Sequence, residues 1–372
     1  MHRFIPAIRY AHWLLLIYAC MMNFSWAGAL SLYPNQVDRL RQLLAENSGA
    51  ARYYAEIRRT ADATLNDMPN PVTVIISEGK LASDPAKIKS NIATRDFKKI
   101  LALSWAWLIS KDDKYIVKGK EFILAWSDFN MSDGNPINET TLEPLIIAYD
   151  IFRPQFSQGD REKLDNWLTN RAIVLWNDKR GRTGNWQSHR IKMIGLIATV
   201  TEDNKLWKLA DAGFKEQIDH NFFPDGVSKD FNLRDAMHYH LYSVLPLLTL
   251  ACVARQRHSD WYVYQAPSGA SLKRAVIFIE PYAFGVKKHL EFVHSTAKFD
   301  KVRADAGEKE YSPHIWNPCA ATQVFAEATC VDPDAKRIAA ELKCNRTHKN
   351  DFVSWQSVVN SIKYGIEGNT QN

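Results

Sequence analysis

Past residue 29 the sequence has no apolar run long enough to cross a bilayer, so no stable membrane span is expected. It has no sustained strand-like alternation, no internal repeat and no Pro- or Ser-rich linker. These absences argue against a sandwich, a solenoid or a hinged pair of domains. No GxGxxG, Walker loop, HExxH or GxSxG occurs, which sets aside dinucleotide, P-loop, zinc-protease and serine-hydrolase chemistry. Runs of Lys and Arg are missing too. The formal charge is +6, and removing residues 1–29, which hold two Arg and no acid, leaves +4. That modest excess suits an anionic polysaccharide partner and not a nucleic acid. Cysteine is scarce, with five in 372 residues and no CxxC, so zinc is not expected. No dense set of carboxylates offers itself to Ca²⁺ or Mg²⁺, and no cofactor or metal is expected. Nothing in the chain sets an oligomeric state.

The N-terminus reads as an export signal. Arg3 and Arg9 supply the positive start, Trp13 to Met22 the apolar core, and Ala27-Gly28-Ala29 a small-residue cleavage site. Ile17-Tyr18-Ala19-Cys20 has a faint likeness to a lipoprotein box, but Tyr18 fits poorly and the apolar stretch runs on past Cys20. Residues 1–29 are therefore expected to be a signal peptide and 30–372 a single domain, periplasmic or secreted. Cys252 lies in an apolar helix and reads as a buried free thiol. Cys319, Cys330 and Cys344 cluster near the C-terminus, where one disulfide among them suits an exported chain.

Amphipathic helix is what the chain has in quantity. Apolar faces recur at helical spacing over 37–66, 94–110, 115–128, 141–153, 160–176, 186–199, 205–220, 235–255 and 271–284, with polar breaks such as Lys111-Asp112-Asp113 between them. Shorter helices are expected at 320–328 and 334–342, and Val72 to Ser77 reads as a lone strand or extended arm. Helix after helix with short turns predicts an all-α protein. At this length the closed solution is a single α/α toroid, an incomplete barrel of antiparallel helical hairpins. Twelve Trp and fourteen Tyr serve either to stack on sugar rings or simply to pack the toroid wall.

Two stretches concentrate chemistry. The segment Asp225 to Tyr242 holds Asp230, Arg234, Asp235, His238, Tyr239, His240 and Tyr242. A helix starting near Asp235 would place Arg234, His238 and Tyr242 on one side, with His240, Val244, Leu247, Leu248 and Ala251 facing the core. The second stretch is Gly184-Asn185-Trp186-Gln187-Ser188-His189-Arg190. Asn185 is placed either to cap the helix or to face a cleft with His189 one turn on. Trp186, Gln187 and Arg190 are candidate substrate contacts beside them. Asn138, in the polar loop 134–143, is a further candidate contact or else a helix cap, with Glu139 and Glu143 as candidate cleft acids or favourable first-turn charges. Lys287-Lys288-His289 and His294 make either a basic rim or a solvated face.

Asn185-Trp186 after a glycine resembles the Asn-Trp motif of toroidal polysaccharide lyases. Arg234, Tyr239-His240-Leu241-Tyr242 and Leu245-Pro246-Leu247 resemble the Arg…Tyr-His-Asn-Tyr…Pro-Leu segment of the alginate lyase family. Arg234 stands one residue further from Tyr242 than in that pattern, and Leu241 replaces Asn. The resemblance implies a toroidal lyase of anionic polysaccharide, with Tyr242 as the catalytic phenol, Arg234 as its helper and Asn185 as the group that neutralises the uronate carboxylate.

The residue types suit such chemistry. β-Elimination takes a weakly acidic C5 proton, so the site must offset the carboxylate charge, which Asn185, His189 and Arg234 could do. A phenol with an unperturbed pKa near 10 needs a nearby cation to act as a base. One tyrosine could serve both steps where the C5 hydrogen and O4 lie on the same side. Otherwise His189 or His240 would be the base and Tyr242 the acid. Alginate, polymannuronate and glucuronan are the candidate substrates. The rival readings are an α/α-toroid glycoside hydrolase using Asp230 and Asp235, and a non-catalytic polysaccharide-binding protein.

Overall fold

Polar side chains mark where the helices begin. Asn47, Asp84, Asp112, Ser157, Asp203 and Ser271 each accept a backbone N–H from the first turn that follows them. The computed structural model describes residues 28–342, 344 and 351–365. The expected signal peptide, Cys20 included, therefore lies outside the described residues except for Gly28 and Ala29.

The helices Ser48–Thr64, Arg95–Ser110, Glu143–Phe152, Gly184–Val200, Met237–Gln256, Thr322–Ala328 and Asp351–Lys363 each pack on the next, and the last packs on the first. Pro34–Glu46, Asp113–Phe129, Gln158–Asn177 and Asn204–Asn221 pack on this circuit as further helices. The architecture is the α/α toroid that the helical pattern predicts. Its core is built on aliphatic side chains such as Ile57, Ile100, Leu145, Ile194 and Leu247, which are fully buried, each contributing about 1.5–3 kcal/mol. Trp105, Trp126 and Trp355 are buried as well, Trp105 meeting Trp355 edge-on at 5.6 Å. Much of the aromatic surplus is wall packing.

Met237–Gln256 is long and apolar enough to cross a membrane, but 78% of its apolar window is buried within the protein. It is a core helix of the ring. His240, Val244, Leu247, Leu248 and Ala251 do form its buried stripe.

The ring is fastened at its seam and along one side. Lys363 Nζ, at the end of the last helix, donates to the carbonyls of Ala29 at 2.9 Å and Leu30 at 2.7 Å. Ser31 donates from N and Oγ to Asp150 Oδ2 at 3.0 and 2.6 Å. The free thiol expected at Cys252 is instead bonded to Cys330, because the turn after Thr322–Ala328 lies against the Met237–Gln256 helix. Cys319 pairs with Cys344. Val72 to Ser77 is an extended arm: Asn130 Nδ2 donates to Val72 O at 2.7 Å and Met131 N to Thr73 O at 2.7 Å. Leu290–Glu291 and His314–Ile315 form an antiparallel pair too short to show any alternation in sequence.

Candidate active site

Gly184 opens the Gly184–Val200 helix at φ +71°, and a Cβ there would meet Asp230 Oδ1 at 2.7 Å. Glycine thus lets Asp230 approach, and Asn185 Nδ2 donates to Asp230 Oδ1 at 2.9 Å. Ser243 Oγ and Asn221 Nδ2 donate to the other Asp230 oxygen at 2.6 and 3.1 Å. Asn185 is consequently fixed in direction, with a second N–H and its Oδ1 left for other partners. The capping alternative fails: Thr183 holds the N-cap position and Asn185 lies inside the helix.

His189 stands one turn further on, buried, its Nδ1 hydrogen-bonded with Thr140 Oγ1 at 2.9 Å. Its ring rests on Tyr242, centroids 4.2 Å apart, and its Nε2 is buried without a hydrogen-bond partner. Burial first, and then the charge of Lys192, holds its pKa well below 6.5, so the ring is neutral at neutral pH.

The Asp225 to Tyr242 segment, expected as a loop leading into a helix that starts near Asp235, holds a short helix of its own before the long one. Lys229–Arg234 is a separate short helix, Asp235 turns left-handed at φ 48°, Ala236 is extended, and Met237 starts the long helix. His294 N donates to Asp235 Oδ2 at 2.8 Å, and His289 Nε2 donates to Asp235 O at 3.1 Å, so the expected basic rim in part fastens this elbow. His238 and Tyr242 do share a face, with rings parallel to within 12° and 6.1 Å apart. Arg234 does not share it. Its guanidinium lies 3.8 Å over the Tyr239 ring, donates to Tyr239 Oη at 2.5 Å, and forms a two-pronged ion pair with Asp300. Arg303 Nη1 donates to the same Tyr239 oxygen at 3.2 Å.

Tyr242 is half-buried at the cleft wall. Burial pushes its phenol pKa up, Glu78 adds to the rise, and Arg303 opposes it. His238 is exposed at the surface; partial loss of hydration first, then the charges of Arg234 and Arg303, lowers its pKa. Tyr239 is buried and its phenol is pushed up by burial, with Arg234 opposing.

Several candidate contacts prove to be structural. His240 is fully buried, its Nε2 donating to Ala275 O at 2.9 Å and its Nδ1 accepting from Ser228 N at 3.3 Å. Arg190 is fully buried and donates to Leu175 O at 3.0 Å, Gly181 O at 2.9 Å, Arg180 O at 2.5 Å and the Gln187 side chain. It holds the 178–183 loop and takes up the Gln187 side-chain oxygen as well. Trp186 is half-buried under that loop, where a Cβ on Gly181 would meet it at 2.5 Å. Asn138 neither caps nor faces the cleft. Asn135 is the cap, while Asn138 Oδ1 accepts from Ser77 N, Ser77 Oγ and Glu78 N at 2.9–3.0 Å, pinning the arm that carries Glu78. Glu139 pairs with buried Arg171, and Glu143 with Lys192. Thr140, Lys192, Glu78, Tyr311 and Arg303 join the site without having been singled out from sequence. Lys192, three residues past His189, was within reach of helical spacing; Arg303 carried no local signal. Among the described residues no three His, Cys, Asp or Glu side chains converge as a metal-ligand set.

Residues 42–289, about two thirds of the chain, match the sequence profile of the alginate lyase family. The chain belongs to that family. A polysaccharide lyase of Stenotrophomonas maltophilia (strain K279a) is 30% identical over 147 residues, which are 37% of this chain and 42% of that relative's length. The crystal structure of an alginate lyase from Bacteroides ovatus superposes with a TM-score of 0.68 at 16% identity, covering 91% of this chain and 99% of that one. Alginate lyase A1-III of Sphingomonas species A1, in a tyrosine-to-phenylalanine variant complexed with tetrasaccharide, gives 0.54 at 18% identity, covering 74% and 78%. At those identities the two superpositions are likenesses of fold.

Proposed function

We propose that this alginate lyase family member cleaves a 4-linked polyuronate by β-elimination. In that reaction C5 loses a proton, the C4–O4 bond breaks, C4=C5 forms, and the departing O4 takes a proton. The reading rests chiefly on one arrangement: a neutral His189 with an unpartnered Nε2, tilted against the Tyr242 ring at 4.2 Å and one turn from an Asn185 amide held in place by Asp230. The second N–H of Asn185 and a protonated Nε2 of His189 would hold the carboxylate as charge spreads onto it. Tyr242 is the donor to O4; burial favours its protonated form, so to act as base where the C5 hydrogen and O4 lie on the same side it must first give up its proton. In mannuronate and glucuronate the C5 hydrogen is on the O4 side, and Tyr242 as phenolate could also be the base. In guluronate it is on the opposite side, and His189 in its other tautomer, with Nε2 unprotonated, would be the base, leaving the carboxylate to Asn185.

His240 leaves the list of possible bases, since both its ring nitrogens are bonded inside the core. The hydrolase alternative loses its acid pair too. Asp230 has both oxygens bonded to Asn185, Asn221 and Ser243, and Asp235 fastens the elbow. Two disulfides favour an oxidising compartment, which supports an exported protein in the periplasm or outside the cell.

A panel of polymannuronate, polyguluronate, glucuronan, hyaluronan and chondroitin, followed by the ultraviolet absorbance of the C4=C5 unsaturated product, tests this directly. Rising absorbance on polymannuronate or glucuronan is expected, and it should survive dialysis against a strong chelator. A flat trace on every polymer would overturn the reading.

A further inference from the structure

We propose that Thr140 is a positioning residue whose hydroxyl lets His189 take either tautomer, and that it thereby opens the one site to uronates of either C5 configuration. The proposal rests on the reading of His189 and Tyr242 as the proton-handling pair. Thr140 opens the short 3₁₀ turn Thr140–Leu142 and is held from both sides. Just before it Glu139 pairs with buried Arg171, and three residues on Glu143 pairs with Lys192. Lys192 itself stands three residues past His189 on the Gly184–Val200 helix. The Thr140–His189 and Glu143–Lys192 contacts are therefore two rungs between the same two stretches of chain. They fix the hydroxyl 2.9 Å from His189 Nδ1.

Which nitrogen of a neutral imidazole carries its one proton is set by the hydrogen bond the other makes. His240 is the contrast within this chain. Its Nε2 meets the carbonyl of Ala275, which can only accept, and its Nδ1 takes the N–H of Ser228, so Nε2 must carry the proton. Nδ1 of His189 meets neither kind of group. It faces a hydroxyl, which has one donor and two acceptor lone pairs, while Nε2 is buried with no hydrogen-bond partner. The Tyr242 carbonyl, which Pro246 leaves without a helical N–H, adds an acceptor beside the ring. An acceptor there welcomes a proton but fixes a nitrogen only by closing a hydrogen bond, and none is closed at Nε2.

With the hydroxyl donating to Nδ1, Nε2 carries the proton and can hold the uronate carboxylate. With the hydroxyl turned to accept from Nδ1–H, Nε2 has a free lone pair. It then takes the C5 proton from the side opposite O4, the C5–H electron pair becomes the C4=C5 bond, and O4 leaves with the Tyr242 proton. Thr140 is half-buried, so solvent can serve whichever side of the hydroxyl the ring leaves free.

The test joins imidazole ¹⁵N NMR of the intact protein, which reads the tautomer without substrate, to turnover on polymannuronate and polyguluronate. Wild type should show His189 nitrogen shifts between the two tautomeric extremes and should cut both polymers. Thr140→Val removes the hydroxyl and keeps the shape. The proton should move to Nε2, and turnover on polyguluronate should fall about ten- to a hundredfold more than on polymannuronate. Thr140→Asp, an acceptor only, should move the proton to Nδ1 and reverse that preference, so either variant decides if the other does not fold. Thr140→Ser should keep the wild-type shifts and the wild-type ratio. A wild-type ring already fixed in one tautomer, a wild type that cuts one polymer alone, or a polymer ratio unchanged in the folded Val and Asp variants would overturn the proposal. No unsaturated product from any polymer would instead overturn the parent reading, and the nitrogen shifts would still show whether Thr140 sets the tautomer.

Discussion

Tyr242 and His189 are where the chemistry is assigned, and each can be removed with little change in shape. Tyr242→Phe keeps the ring that packs on His189 and deletes only the hydroxyl. Turnover should fall ~10²–10⁴-fold with oligosaccharide affinity and melting temperature close to wild type. His189→Ala and Asn185→Ala should each lower kcat by about 10²-fold or more. Near-normal kcat in Tyr242→Phe would move the role to another group in the cleft. The Asn185–His189 pairing and the Tyr242 face were legible because each depends on spacing within a single helix. The partner of Arg234 was not. Asp300 is 66 residues away and becomes its counter-ion only when the chain returns to the same wall. Arg190 and Gln187 read as cleft residues because a basic and an amide side chain beside a histidine suggest substrate. Nothing local says that an arginine will be taken up by loop carbonyls.

At the scale of elements, the elbow at Asp235 divides the long helix, expected from about Asp235, from a short helix before it where a loop was expected. A left-handed non-glycine residue is uncommon, and two histidines from the 289–294 stretch hold it in place. No helical periodicity encodes such a break. The long helix after it was legible, including the buried stripe that contains His240. That buried position carries a pH prediction. The His240 pKa is lowered from 6.5 to about 4, chiefly by burial, and that of His189 is lowered as well. A depressed histidine pKa contributes stability that is present above the unfolded value and lost as pH falls through the folded one. The melting temperature should therefore drop as pH is lowered from about 6.5 toward 4, and His240→Gln should weaken that dependence. The same variant should lose about 1–3 kcal/mol at neutral pH through its buried partners, while the folded fraction keeps its kcat. Lost turnover with unchanged stability would return His240 to the reaction.

The whole molecule is a ring whose closure depends on its ends: Lys363 on the carbonyls of Ala29 and Leu30, and Asp150 on Ser31. Repeated amphipathic helices made the toroid legible, since a ring buries every apolar stripe at once. The seam contacts and the disulfide pairing join residues far apart in sequence, so the chain alone gave only the number of cysteines and the prospect of a bridge. What the ring provides is the packing of two neighbouring wall helices that brings Asn185 and His189 of one beside Tyr242 of the other. The central claim is that this site eliminates and does not hydrolyse. The most direct measurement is the mass of the oligosaccharides released from polymannuronate or glucuronan in ¹⁸O-labelled water. Elimination predicts new non-reducing ends lighter by one water and no ¹⁸O fixed in cutting the chain, once slow exchange at the reducing ends is subtracted. Full-mass ends carrying ¹⁸O from the cleavage itself would contradict it.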